Sequence, residues 1–214
     1  MKLLILLFLV PTIAFADKCN DEYQRLTSKE GEILKSYNKQ PQKAHKQLIG
    51  LASEIESAVL SCAKSAKLNS LMALVQITLG ENGLAIKYAE KALSQDSNSW
   101  EANNAYGTAL SLNGQENKGL FYLEKSVDLA PLNTNLLINL CSSYESAGKY
   151  NKAIIYCGRA IKLNDANVNG SAHYIRARAY NAINNTELAQ QDFSKAKELG
   201  FEGSKFYSEE HYAK

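Results

Sequence analysis

The sequence predicts an all-α fold: an α-solenoid of antiparallel helix pairs, preceded by an N-terminal helical hairpin. Three observations predict this class. Gly80, Gly114 and Gly148 lie 34 residues apart. Apolar residues recur at helical spacing on both sides of each glycine, and the 214-residue chain contains only three prolines. A fixed period of this length is typical of stacked helical repeats.

Small residues occupy equivalent positions in every copy of the period. One precedes each glycine and two follow it, while a fourth copy, offset by two residues, has Asn184 in place of the glycine. Small side chains let helix axes approach closely, and glycine or asparagine readily adopts the left-handed conformation that ends a helix. Each copy therefore predicts two helices joined by a short turn. The twelve small sites are Ala73, Gly107, Cys141 and Ala177; Ala85, Gly119, Ala153 and Ala189; and Ala92, Ser126, Ala160 and Ala196.

This pattern resembles the tetratricopeptide repeat, most closely in the third copy. The residues that carry the resemblance there are Leu140, Cys141, Tyr144, Gly148, Tyr150, Ala153 and Ala160. Two features depart from the family pattern, because no copy has the frequent early tryptophan and Arg176 stands where leucine is usual. Stacking of at least three copies is normally needed to bury the apolar face of each. The resemblance implies four repeats, over residues 66–99, 100–133, 134–167 and 170–203.

Two further segments flank the repeats. Residues 17–65 predict a longer helical hairpin with its turn at Pro41. Its two apolar arms are Tyr23, Leu26, Ile33, Leu34 and Tyr37, then Leu48, Leu51, Ile55, Val59 and Cys62. Residues 204–214, with Phe206, Tyr207 and Tyr212, predict a short capping helix, and a frayed tail is the alternative.

The N-terminus predicts export. Lys2 precedes an apolar run and the small-residue pattern Ala14-Phe15-Ala16, which is the layout of a signal peptide over residues 1–16. The apolar run is shorter than the roughly 20 residues of a membrane-spanning helix. Cys19 does not directly follow the predicted cleavage site, which disfavours lipid anchoring. We therefore expect a periplasmic or extracellular protein without membrane insertion after cleavage.

The four cysteines predict two disulfides, because each pair is symmetric about a predicted turn. Cys19 and Cys62 have their midpoint between residues 40 and 41, and Cys141 and Cys157 have theirs at Lys149. Residues equidistant from the turn of an antiparallel hairpin lie at equal heights, and export supplies oxidising conditions. The alternative is that cysteine serves only as a small buried apolar residue.

Composition and motifs argue against several functions. The 24 basic and 22 acidic residues give a formal charge of +2, which provides no basic footprint for nucleic acid or an anionic membrane. His45, His173 and His211 are far apart, and the chain has no H-E-x-x-H, G-x-S-x-G or phosphate-binding glycine motif. We expect no catalysis, no metal site and no cofactor. His173 is predicted to be a surface or capping residue, and the carboxylates to lie on solvated helix faces.

The resemblance implies that the first helix of each repeat lines a concave groove for a peptide or partner helix. Asparagines in such a lining can bind a peptide backbone, although plain solvation is the alternative for each one. Leu74, Thr108 and Ser142 stand where a clamp for a terminal carboxylate would need asparagine or a base, while Arg178 is expected to attract an acidic group. The predicted lining residues are Ser70, Leu74, Ile77, Asn104, Thr108, Ser111, Asn135, Ile138, Ser142, Glu145, Tyr174, Arg178 and Asn181.

The function predicted from these features is that of an exported scaffold, which binds a protein or peptide in this groove. The alternative is a structural or assembly subunit of a cell-envelope or secretion complex, bound through its convex face or helix ends.

Overall fold

The computed structural model describes residues 6–37, 39–163, 165 and 169–201, with the side chains from Asp17 onward. Over these residues it contains ten α-helices and no strand. The predicted capping helix at residues 204–214 lies outside this part of the chain. The helices are α1 Leu6–Tyr37, α2 Pro41–Ser61, α3 Ala66–Leu79, α4 Asn82–Gln95, α5 Trp100–Leu112, α6 Glu116–Leu129, α7 Thr134–Ser146, α8 Tyr150–Leu163, α9 Asn169–Ala182 and α10 Thr186–Glu198.

The helices are grouped in two compact units, Met1–Ala109 and Leu110–Lys214. In the first unit α1 packs against α2 and α3 against α4, and α2 also lies beside α3. In the second unit α7 packs against α8 and α9 against α10, and α8 also lies beside α9. Short connections make the members of each pair antiparallel, as the repeat pattern predicts.

The turns inside the repeats use the predicted left-handed residues. Gly80, Gly114 and Gly148 have φ angles of 82°, 77° and 69°, and Asn184 has a φ of 61°. After each of them, the next backbone N–H bonds to a carbonyl near the end of the first helix, as Lys149 N does to Tyr144 O at 2.8 Å. This is the Schellman termination of a helix. The prediction of four equivalent turns is confirmed.

The twelve small sites are all buried, which confirms the reason given for their size. Ala73, Ala85 and Cys141 have no exposed surface, and Ala189, the most exposed of the alanines among them, is 2% exposed. A larger side chain at any of these sites would have to displace the neighbouring helix, because a closely packed interior does not accommodate added volume.

The N-terminal hairpin has a core of its own that continues into α3. Leu26, Leu48, Leu51 and Ile55 are fully buried in it. Pro41 is the first residue of α2, where its missing N–H costs no helical hydrogen bond. The Ser65 side chain caps α3 by accepting a hydrogen bond from the backbone N of Leu68. The sequence thus sets the first residues of both α2 and α3.

Both predicted disulfides are present. Cys19 and Cys62 join α1 to the end of α2 with their Cα atoms 5.9 Å apart, and Cys141 and Cys157 join α7 to α8 with a Cα separation of 5.4 Å. The first closes a loop between residues 43 positions apart; a loop of this length stabilises a fold by about 3 to 4 kcal/mol in the chain-entropy model. The second is fully buried next to Ile175.

Candidate functional site

The predicted lining residues of the first unit lie on α3 and α5 and are largely enclosed. Ser70 is 1% exposed, and its hydroxyl donates to the backbone oxygen of Ala66 at 2.8 Å. Asn104 is 4% exposed, while Leu74, Ile77 and Thr108 are half-buried. Two of the three half-buried side chains are apolar and the other two residues are buried, so this part of the lining offers few polar groups to a ligand.

A small polar network joins the middle of α1 to the first turns of α3 and α5. Lys67 Nζ lies 5.5 Å from the centre of the Tyr23 ring and 3.9 Å from Glu101 Oε1. Glu101 is buried, and its Oε2 accepts a hydrogen bond from Ser99 Oγ at 2.7 Å. Burial, followed by the nearby Glu101 carboxylate, raises the pKa of Tyr23. The network links α1, α3 and α5, and Lys67 directs its charge toward a carboxylate of the same chain.

Glu30 lies on the apolar stripe of α1, with Leu26 and Leu34 four residues to either side. Its side chain is half-buried, and burial alone raises the pKa of its carboxyl group to about 7. No described neighbouring cation therefore stabilises its charge. The signal for Glu30 in the sequence is an acidic residue between apolar residues on one helix face.

In the second unit the predicted lining residues differ widely in exposure. Asn135 and Asn181 are exposed, whereas Ser111, Ile138 and Ser142 are half-buried. Of the thirteen predicted lining residues, only these two asparagines present an exposed side chain. Their amides are the most exposed polar groups of the predicted groove.

Two predicted lining residues of the second unit form an ion pair between α7 and α9. Arg178 Nη2 lies 2.9 Å from Glu145 Oε1, with 11% and 7% of the two side chains exposed. Burial raises the pKa of Glu145, although Arg178 acts to lower it. The acidic group that Arg178 attracts is thus a residue of this chain.

Tyr174 belongs to an aromatic cluster at the end of the second unit. Its ring centre lies 5.5 Å from that of Phe193 on α10 and 5.3 Å from that of Phe201, which follows α10. Phe201 also packs on Gly170, where a Cβ atom would lie 2.8 Å from the Cβ of Phe201. Substitution of Tyr174 would therefore disturb packing as well as any groove.

The prediction that His173 is a surface or capping residue is wrong. Its side chain is 12% exposed and its Nδ1 lies 2.6 Å from Oδ1 of the buried Asp192. Arg176 binds the same carboxylate through Nε and Nη2, at 2.6 and 2.8 Å. The departure of Arg176 from the family's leucine thus has a structural cause. The prediction that carboxylates lie on solvated faces is also wrong for Asp192, Glu145 and Glu101, which are 5%, 7% and 7% exposed.

Within the described ranges, no group of three or more histidine, cysteine, aspartate or glutamate side chains is placed to hold a metal ion. No helix among the same residues combines the length and the apolar character needed to cross a bilayer.

A family model described as tetratricopeptide repeat matches residues 66–99 and 135–167, which correspond to the first and third predicted repeats. No curated protein matches the chain. The predicted second and fourth repeats lie over helices α5 to α6 and α9 to α10.

Several solved structures share the fold. A crystal structure of MamA protein is 18% identical, with 85% of this chain and 97% of that one covered and a TM-score of 0.59. MamA 41-end from Desulfovibrio magneticus RS-1 is 17% identical, covering 84% and 96%, with a TM-score of 0.60. YrrB, described as a TPR protein with an unusual peptide-binding site, is 18% identical, covering 75% and 81%, with a TM-score of 0.58. These likenesses confirm the predicted fold class.

Proposed function

The chain is a tetratricopeptide-repeat protein, and from this premise we propose that it is an exported, non-catalytic scaffold that binds a protein or peptide partner through the first helices of its repeats. The observation that carries this proposal is the pair of exposed asparagines on α7 and α9, Asn135 and Asn181. An amide both donates and accepts, and so it can bind a peptide backbone without strong selection among side chains.

The charges of the first helices support a partner that is held by shape and backbone contacts. Lys67 already faces the buried carboxylate of Glu101, and Arg178 faces that of Glu145. Breaking such a pair to bind an outside charge would leave a buried charge without its partner, which is costly. A strongly charged partner is therefore a poor fit to this lining.

Export is supported by the N-terminal sequence and by the two disulfides. Structural disulfides persist in oxidising compartments and are rare in the cytosol of most cells. The compartment, periplasmic or extracellular, is part of the proposal and is tested by the fraction in which the processed chain is found.

A direct test compares capture of partners from the exported fraction by three forms of the protein. The double variant N135A/N181A removes the exposed amides of the first helices without touching packed residues, and N151A removes an exposed asparagine of the second helix α8. Specific capture that is lost with N135A/N181A and kept with N151A supports the proposal. Equal capture by all three forms would contradict binding through these helices.

A second candidate function is that of an assembly subunit bound through the second helices. Phe121 on α6 and Ile155 on α8 occupy equivalent positions, 34 residues apart, and are 60% and 61% exposed. Exposed large apolar residues at a repeated position are typical of an interaction surface. Loss of capture with F121S/I155S, but not with N135A/N181A, would favour this candidate.

A further inference from the structure

A cavity of about 540 Å³ lies among α2, α3 and α4 in the first unit. This volume is within the range of pockets that hold small ligands or side chains. None of the predicted groove residues lines it, so it is separate from the site of the proposed function. Its lining includes Glu56 from α2, Met72 and Gln76 from α3, and Leu84 and Tyr88 from α4.

The repeat period identifies what fills the equivalent space in the third repeat. Four of the lining residues have equivalents 68 residues, or two periods, later in the chain. These equivalents contact one another around the ring of Tyr144. The pairs are Glu56 and Glu124, Gln76 and Tyr144, Leu84 and Lys152, and Tyr88 and Tyr156.

In the third repeat Tyr144 occupies this space. Its ring stacks on Tyr156 with centres 5.5 Å apart, and Lys152 Nζ lies 4.9 Å from the ring centre. The Tyr144 hydroxyl donates to Glu124 and accepts from Lys152 Nζ at 3.0 Å. Burial, followed by the bond to Glu124, raises the pKa of Tyr144 to about 12, so that the phenol stays protonated and donates.

At the junction between α4 and α5, the equivalent space is filled by a tyrosine from a different position of the repeat. Tyr106, 5% exposed, donates to Glu90 Oε1 at 3.1 Å. Glu90 is one period after Glu56, and Tyr106 is one period after Met72. The junctions at Glu90 and Glu124 therefore each have a phenol on the equivalent glutamate, whereas at the first junction α3 offers only Met72 and Gln76.

We propose that the cavity among α2, α3 and α4 binds a tyrosine side chain of a partner protein, with the ring on Tyr88 and the hydroxyl on Glu56. The occupant follows from the chain's own two filled junctions. Offset stacking of the incoming ring on Tyr88 would repeat the Tyr144 and Tyr156 contact. The exposed Leu84, in place of Lys152, provides an apolar wall.

Gln76 supplies the remaining polar contact. Its side chain is 8% exposed, and its Nε2 donates to the sulfur of Met72 at 3.5 Å, which is a weak acceptor. A phenol oxygen at the cavity floor is a better acceptor for this N–H. Gln76 thereby takes the place that Lys152 has against the Tyr144 hydroxyl.

The test titrates the isotope-labelled full-length protein with N-acetyl-tyrosine amide and N-acetyl-phenylalanine amide, and follows the backbone amide signals by NMR. We expect saturable shifts at Gln76, Leu84 and Tyr88. Because the phenol adds a hydrogen bond to a carboxylate, the tyrosine amide should bind about tenfold more tightly than the phenylalanine amide.

Three variants make the test specific. Q76Y supplies the chain's own phenol and should abolish the shifts while raising the melting temperature. E56Q removes the charged acceptor and should reduce tyrosine amide binding to the level of phenylalanine amide. E90Q is the matched control, because Tyr106 already occupies that carboxylate, and should leave the titration unchanged.

Equal binding of the two amides would overturn the proposal, as would binding that persists in Q76Y. If Q76Y fails to fold, the comparison of E56Q with E90Q decides alone, since both substitutions keep the size of the side chain. A loss of partner capture in N135A/N181A does not bear on this result, so the two proposals fail separately.

Discussion

Asp192 in the second unit and Glu30 in the first are both acidic residues on inward-facing helix surfaces, but only Asp192 has partners. Arg176 and His173 together place three nitrogen atoms within 2.8 Å of the Asp192 carboxylate. Glu30 has apolar neighbours along its helix, and its pKa rises to about 7 because burial is not offset by a cation. The comparison separates two outcomes of burying an acid: stabilisation of its charge by partners, or protonation.

The difference follows from the elements that surround each residue. α9 supplies both partners of Asp192, His173 and Arg176, which lie three residues apart on one helix face. Lys29, the residue before Glu30, pairs with Glu54 on α2. Lys29 thus pairs with a different carboxylate, and no described cation offsets the burial of Glu30.

The largest expected effect comes from removing the principal partner of Asp192. R176M keeps most of the volume of the side chain and leaves the carboxylate with His173 alone. Removing one partner of a buried ion pair costs about 3 kcal/mol, and we expect a loss of this size in the free energy of unfolding. Urea denaturation at pH 7 measures it. A loss below about 1 kcal/mol would show that the pair is not important for stability and would remove the basis of the comparison.

Substitution of Glu30 is expected to increase the free energy of unfolding, whereas R176M lowers it. The folded-state pKa of about 7 is above the usual value of 4.5, so the folded chain binds a proton that the unfolded chain releases. This contribution is present below pH 4.5 and is lost as the pH rises through 7. E30Q, which has no charge to bury, should be more stable than the wild type by about 1 to 2 kcal/mol at pH 8 and equal to it near pH 4.

Thermal unfolding of E30Q and wild type across pH 4 to 8 checks this sign. E32Q is the matched control, because Glu32 is exposed on the same helix and its substitution should not change the pH profile. A wild-type protein whose stability increases between pH 5 and 8 relative to E30Q would contradict the account of Glu30.

The smallest expected effect concerns an exposed ion pair on the same helix as Asp192. Lys195 Nζ lies 2.9 Å from Glu198 Oε2, with 51% and 64% of the side chains exposed. Solvent screens such a pair, and K195M should change the free energy of unfolding by less than about 0.5 kcal/mol. Urea denaturation of K195M beside R176M separates the effect of burial from that of ion pairing. Similar losses in the two variants would mean that burial does not determine how much these ion pairs contribute to the free energy of unfolding.

The sequence was sufficient for the features that repeat. The twelve small sites and the four left-handed turns follow from the 34-residue period, and the two cysteine pairs follow from their symmetry about predicted turns. Glu30 and Asp192 could have been found in the same way. Glu30 interrupts an apolar stripe, and Asp192 lies on the same helix face as the small sites Ala189 and Ala196.

Contacts between helices that are distant in the chain could not be read from the spacing. The pair of Glu145 with Arg178 depends on the distance and rotation between α7 and α9, which no local pattern encodes. The same holds for the stack of Tyr174 on Phe193 and Phe201. The predicted lining residues lie on α3, α5, α7 and α9, and residue type did not show which of their side chains reach solvent.

The contact of Phe201 with Gly170 has a consequence for protein engineering. Phe201, the third residue beyond α10, packs on Gly170 at the start of α9, so the chain after the last hairpin folds back against α9. A designed module fused in frame behind Phe201 would start from an anchored position. Adding further repeats at this end would require that residue 170 remain a glycine.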